Sequence, residues 1–293
     1  MSAAANAGVP TRLEARLADL KAADIKALVT FITAGDPQPS CTVSAMHALV
    51  AGGADVIELG VPFSDPEAEG PAIQMSSERA LAHGVTLTQA LDMVREFRKN
   101  NEDTPVVLMG YLNSILRMGE RAYATAAQDA GVDGLIMVNL PPEEAHLLQD
   151  ELLKHQQNLI FLVAPTTTEE RAEQILKAAS GFVYYVSLKG ITGASNLDPE
   201  AVRAKVTGLQ ARTALPVFVG FGIKDGATAK AIGEVADGVV VGSALVRTMG
   251  EHAGNEKPEG IAGQNEGLDV IDARLKSQVG ELRDALDSLR PDG

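Results

Sequence analysis

Eight short runs of Val, Ile and Leu punctuate the chain, at 27–33, 56–60, 105–111, 134–139, 159–164, 182–187, 216–220 and 238–241. Most are apolar at nearly every position rather than alternating, which predicts strands buried on both faces. Amphipathic segments lie between them, for example 40–51, 87–98, 120–130, 143–155, 169–179, 199–212 and 226–235. Strands that alternate with helices imply a parallel sheet. Eight strands close a barrel, and 293 residues suit one, so the expected fold is an α/β (β/α)8 TIM barrel. The rival, an open doubly wound sheet, needs a G-x-G-x-x-G turn after an early strand, and none occurs there.

Ser40 reads as an N-cap, Pro142 suits a first helical turn, and Thr168 before two glutamates reads as a capped start. An extra N-terminal helix is expected over 11–21, able to cap the barrel bottom. Segment 250–267 is polar and rich in Gly and Glu, hence a loop, and a charged C-terminal helix over 268–289 is expected on the outside. No internal repeat or linker is read, so 1–293 forms one domain.

Composition narrows the function classes. An apolar fraction of 45% supplies a sizeable core, and no run of 18 apolar residues exists to span a membrane. The N-terminus lacks the basic and apolar regions of a secretory signal. The single cysteine, Cys41, excludes an internal disulfide and fits a reducing, cytoplasmic compartment. A net charge of −14 argues against nucleic acid as partner. An anionic ligand must then be held by local devices rather than by the global field.

Within V-I-E-L-G-V-P-F-S-D-P-E-A-E-G-P, from Val56 to Pro71, Glu58 interrupts a buried strand and is followed by Asp65, Glu67 and Glu69. A buried carboxylate is costly unless it is paired, protonated or facing a polar cavity. Two readings stay open: a proton-transfer site, or a core glutamate held by an arginine or backbone donors. In a barrel of this kind the strand C-termini form the active face, so Phe31, Tyr111, Asn113, Asn139 and Tyr184 become sectors of one mouth.

Gly193, Gly220, Gly222, Gly242 and Ser243 form a second signal, since they bring bare N–H groups and a helix N-terminus to one side of that mouth. This is a recurrent phosphate site that requires no Lys or Arg. The alternative is that these glycines merely make tight turns. Together the two signals suggest a lyase or isomerase of a phosphorylated metabolite, with Glu58 raised toward neutrality as acid/base. The five histidines, mostly on helical stretches, suggest no metal set, and no G-x-S-x-G elbow follows a strand.

The motifs F-I-T-A-G-D-P, V-I-E-L-G-V-P-F-S-D-P, G-P-A-I-Q, Y-Y-V-S-L-K-G-I-T-G, G-F-G-I and V-G-S-A, in this order, resemble the tryptophan synthase α-subunit family over about residues 10 to 290. The resemblance implies cleavage of indole-3-glycerol phosphate to indole and glyceraldehyde 3-phosphate within an αββα complex. It implies no cofactor on this chain, pyridoxal phosphate being carried by the partner β-subunit. By position, Glu58 matches the acid/base acting at indole C3, Glu69 the second acid that takes the indole N–H, and Tyr184 the tyrosine beside the reacting carbon. Phe31 and Tyr111 match the indole pocket, and Gly193, Gly222, Gly242 and Ser243 the phosphate site. Loops 62–71 and 188–197 match the mobile pair that closes over substrate and meets the β-subunit, with Thr192 linking them.

The chain departs from the family pattern at Glu69 and Asn139, where aspartates are usual, at Ser114, where many members have proline, and at Glu67, usually hydrophobic. One extra methylene moves a carboxylate by about 1 Å, enough to cost roughly a hundredfold in rate. Two functions therefore follow: an ordinary lyase, or a catalytically weak α-subunit-like protein that binds the substrate and allosterically activates a β-subunit. A third reading, Lys189 as a Schiff-base nucleophile, is disfavoured because the residue falls in a loop rather than a desolvated pocket.

Overall fold

The computed structural model describes residues 9–187, 199–220, 222–251 and 263–290. Its strands are β1 (Ala27–Thr33), β2 (Val56–Gly60), β3 (Val106–Gly110), β4 (Gly134–Met137), β5 (Asn158–Val163), β6 (Val183–Val186), β7 (Val217–Gly220) and β8 (Gly238–Val241). They pair in sequence order, all parallel, and β8 returns to β1 to close the barrel. All seven residues of β1 and all five of β2 are buried, as continuous apolar runs require.

The helices are α1 (Arg12–Ala22), α2 (Cys41–Ala51), α3 (Pro71–Ala82), α4 (Leu87–Arg98), α5 (Leu112–Met118), α6 (Glu120–Ala130), α7 (His146–Lys154), α8 (Glu169–Ala178), α9 (Pro199–Gln210), α10 (Gly226–Gly233), α11 (Ser243–Gly250) and α12 (Gly263–Asp287). One apolar cluster fills the space between strands and helices, and a second fills the barrel interior. Leu13, Leu17 and Leu20 of α1 join the interior cluster, so α1 plugs the floor of the barrel. No helix among the described residues is long and apolar enough to cross a membrane.

Several local expectations are corrected. Ser40 makes no side-chain cap, because its backbone is already helical, whereas Thr168 does cap, accepting from the Arg171 N–H. Pro142 does sit in a first helical turn, as expected, but that turn is a separate 3-10 helix, Pro142–Glu144, ahead of α7. α12 begins at Gly263, inside the expected loop, and buries Ile271, Leu275, Val279, Leu282 and Leu286 against α2 and α10. α3 and α5 emerge as helices of their own where the strand ends lead into the mouth.

A periodicity hidden in the sequence also appears. A residue just ahead of each even strand (Asp55, Asp133 and Asp237 immediately before it, Ser180 three positions before β6) accepts with its side chain from a backbone N–H at the start of the preceding odd strand. The donors are Leu28, Val106, Leu159 and Val217, at 2.8–2.9 Å. Each of the four returns its own N–H to the same residue's carbonyl, so the floor repeats every two strands. Arg16 and Arg283 pair with Asp55, and Arg12 and Arg98 with Asp133. A cavity of about 980 Å³ opens at this floor, its lining including Arg12, Arg16, Asp55 and Arg283.

Candidate active site

Strand alternation decides what the mouth presents. Phe31 on β1 stands in register with Glu58 on β2, and Leu162 on β5 with Tyr184 on β6; period-two alternation turns these side chains inward, above the floor cluster. Glu58 is 1% exposed, and its Oε2 is buried with no hydrogen-bond partner. Burial first, and the charge of Glu69 second, push its carboxyl up to about 8. A carboxyl held there is protonated at neutral pH and can donate, the requirement for a general acid. Tyr184 stands partly exposed at the mouth, and burial of its hydroxyl followed by the charge of Glu58 raises it further above the usual phenol range. Two of the expected catalytic groups thus share one electrostatic environment.

The glycines at the strand ends have a packing reason that sequence reasoning missed. A Cβ at Gly60 would fall 2.6 Å from Phe31 Cζ, and one at Gly242 would fall 3.2 Å from Phe31 Cβ. The Phe31 ring therefore fits between β2 and β8 only because both positions lack a side chain. Gly220 serves Tyr184 in the same way, since a Cβ there would lie 2.8 Å from the ring Cζ. Gly222 differs: its φ of +77° is a left-handed turn that suits glycine. Ser243 opens α11, the helix that follows β8, so the free N–H groups of its first turn lie at the mouth end of the barrel. Gly193, Thr192 and Lys189, with loop 188–197, lie outside the described residues.

Glu69 is positioned by Tyr111, the residue between β3 and α5. The Tyr111 hydroxyl donates to Glu69 Oε2 at 2.5 Å and accepts from the Glu67 N–H at 2.7 Å. The Tyr111 ring stacks on Phe63 at 4.4 Å and 15°. Burial, then the bond to Glu69, raises the Tyr111 hydroxyl above its usual range. Gln74 Nε2 donates to the Glu69 carbonyl at 2.8 Å, tying this loop to the first turn of α3. Asn139 does not touch Glu69: its Oδ1 accepts from the Leu112 N–H at 2.8 Å, fixing the start of α5 and so Tyr111.

The motif G-D-P also proves structural. Asp36, fully buried, takes Arg79 Nε at 2.6 Å and Nη2 at 3.0 Å. Thr33 Oγ1 and Ser76 Oγ lie 2.6 Å apart just above. Sequence reasoning passed over this pair, although an aspartate beside a strand end and an arginine in the next helix but one were its visible traces. Among the described residues no group of three or more His, Cys, Asp or Glu could hold a metal ion.

A family model described as tryptophan synthase alpha chain matches residues 17–270. The tryptophan synthase alpha chain of Burkholderia thailandensis is 55% identical over 277 residues, covering 94% of this chain and 97% of its own. That of Cupriavidus pinatubonensis is 56% identical over 278 residues, covering 95% and 100%. Among solved structures, tryptophan synthase subunit alpha from Legionella pneumophila superposes with a TM-score of 0.85 at 43% identity, covering 96% of this chain and all of that one. A chain of Mycobacterium tuberculosis tryptophan synthase gives 0.80 at 36% identity, covering 95% and 99%.

Proposed function

The chain belongs to the tryptophan synthase alpha chain family, and from that premise we propose that Glu58 is the acid/base of its lyase reaction. The reaction is the cleavage of indole-3-glycerol phosphate in tryptophan biosynthesis. Glu58 delivers its proton to indole C3, leaving the ring electron-poor. The Glu58 carboxylate so formed takes the proton of the hydroxyl on the adjacent side-chain carbon, which becomes a carbonyl as the C–C bond breaks, and Glu58 is left protonated again. The bonding electrons return to the ring, giving indole and glyceraldehyde 3-phosphate. Glu69 accepts the indole N–H, Tyr184 flanks the reacting carbon, and Phe31 and Tyr111 wall the indole. The N–H groups around Gly193, Gly222, Gly242 and Ser243 hold the phosphate, with Thr192 linking the two closing loops.

The observation that carries this reading is the Glu58 carboxyl, buried, unpartnered at Oε2 and held near 8 beneath an aromatic mouth. The chain carries no cofactor in this proposal. Pyridoxal phosphate belongs to a β-subunit partner in an αββα complex, and the whole 1–293 chain works as one domain in the cytoplasm. Exposed Met75 on α3 and Leu116 on α5, both beside the mouth, suit contact with that partner.

One observation favours the second reading, a weak lyase that chiefly binds substrate and activates the β-subunit. Glu69 Oε2 is engaged by the Tyr111 hydroxyl and the Ala68 N–H, so this oxygen is committed to the protein rather than free for a substrate N–H. Turnover of indole-3-glycerol phosphate, measured for the isolated chain and with added β-subunit, decides between them. Cleavage by the isolated chain that Glu58→Gln abolishes supports the lyase. Cleavage unaffected by Glu58→Gln overturns the assignment of Glu58.

A further inference from the structure

Two helices that flank β1 and serve two different parts of the proposed site pack against each other beside one guanidinium. α3 starts at Pro71, two residues after Glu69, and the Gln74 amide holds the Glu69 carbonyl at 2.8 Å. α11 starts at Ser243, the N-terminus assigned above to the substrate phosphate, and ends at Gly250. Arg79, near the C-terminal end of α3, lies against that far end of α11: a Cβ at Gly250 would fall 2.8 Å from Arg79 Nη2 and 3.1 Å from its Cζ. A cation there complements the negative end of the α11 dipole while an anion complements the other end. The same guanidinium is gripped on its second side by Asp36, through Nε at 2.6 Å and Nη2 at 3.0 Å.

This grip is rigid for physical reasons. Asp36 is fully buried in the turn after β1, the strand that carries Phe31, and a bidentate carboxylate fixes both the position and the plane of a guanidinium. The Thr33–Ser76 contact at 2.6 Å pins α3 to the same strand end one turn earlier. No surface ion pair would do this, because a long cation on a flexible stem in water holds neither partner in place.

We propose that the Asp36–Arg79 pair is a positioning strut that couples occupancy of the anion site at the start of α11 to the ordering of the Glu69 loop. Arg79 touches neither substrate nor reacting atoms. It holds α3 and α11 in one relation to β1, so that an anion drawn onto Ser243 reaches Glu69 through two helices and their shared contact. The inference rests on the phosphate and Glu69 assignments of the proposed function.

The test uses the full chain, with glycerol 3-phosphate as the anionic probe. In the wild type the probe slows amide deuterium uptake over 62–70. In Arg79→Met the probe still binds within about threefold of wild-type affinity, but its slowing of uptake falls by about fivefold or more, the size of a lost coupling. With added β-subunit, kcat for indole-3-glycerol phosphate falls by about tenfold or more while KM moves less, as a displaced loop requires. Arg79→Lys, which keeps the charge but not the fork, restores part of both. Where Arg79→Met fails to fold by circular dichroism, Arg79→Lys decides: a partial loss of slowing and of kcat supports the strut, and wild-type values in both overturn it. A probe that slows uptake equally in Arg79→Met and wild type overturns it, as does a wild type that shows no slowing. A parallel fall in affinity and kcat that lysine does not rescue also overturns it, since that is general disruption. A wild type that shows the slowing but cleaves no substrate leaves the strut standing and removes the proposed function instead.

Discussion

Asp55 and Glu58 stand three residues apart, one just before β2 and one within it, and both are almost wholly buried, at 4% and 1% exposure. Asp55 receives Arg16 at 2.6 Å, Arg283 at 3.0 Å and the Leu28 N–H at 2.8 Å. Glu58 has an oxygen with no partner and a carboxyl raised to about 8. The same strand thus ends in a saturated carboxylate at the barrel floor and a starved one at its mouth. Burial as such does not distinguish structure from chemistry; the number of donors supplied to the buried group does. This agrees with barrels of this kind, where the floor stabilises and the strand C-termini react.

The sharpest way to break the comparison is to neutralise each acid in turn. Glu58→Gln is expected to lower turnover of indole-3-glycerol phosphate by about 10²–10⁴-fold with folding stability held or raised. Asp55→Asn should do the reverse, costing about 3–5 kcal/mol in urea unfolding because Arg16 loses its counterion and the mostly buried Arg283 keeps only Asp287, with kcat near wild type. Equal activity losses in the two variants would remove the division of labour.

pH separates the two ends next. Unfolded, Glu58 titrates near its ordinary 4.5, and folded it titrates near 8. Between these values the native chain holds a proton that the unfolded chain has released, so stability falls as pH rises. The contribution is full below about 4.5 and is lost on passing through about 8. Its slope is about 1.4 kcal/mol per pH unit, and Glu58→Gln should lack that slope when urea midpoints are compared across the window. Turnover that depends on protonated Glu58 should likewise decline on the alkaline side of about 8.

A third test moves the second carboxylate rather than removing it. Glu69→Asp withdraws the group from the Tyr111 hydroxyl that it now meets at 2.5 Å and shortens it by about 1 Å. If its reach limits proton transfer, single-turnover cleavage should rise by up to about a hundredfold. An unchanged rate would show that this position is not limiting.

The barrel was legible because eight apolar runs leave a buried parallel sheet little alternative, and Glu58 because a carboxylate inside such a run is conspicuous. The glycines were legible as a cluster but not in their reasons: Gly60, Gly220 and Gly242 make room for Phe31 and Tyr184, and nothing in one sequence says which ring will lie over which backbone. The contact of Asn139 with Leu112 was not legible either, since it depends on where β4 ends relative to α5. The Asp36–Arg79 pair spans 43 positions, and no local pattern links residues so far apart.

The floor itself offers the smallest and most graded test. Its four repeats make the same bond to a strand N–H but differ in what else the acceptor holds. Asp55 and Asp133 each hold two guanidiniums, Asp237 holds the neutral Gln210 amide at 3.1 Å, and Ser180 is a neutral hydroxyl. If donor supply sets the value of each acceptor, alanine at 55 or 133 should cost most and Asp237→Ala about 1.5–3 kcal/mol. Ser180→Ala should cost only about 1 kcal/mol, the worth of one neutral bond to the Leu159 N–H. Urea unfolding of the four variants ranks them directly. A Ser180→Ala loss as large as that at Asp237 would mean that closing the strand N–H, rather than the charge gathered around the acceptor, is what holds the floor, and Asp55 would then differ from Glu58 by its backbone partner more than by its arginines.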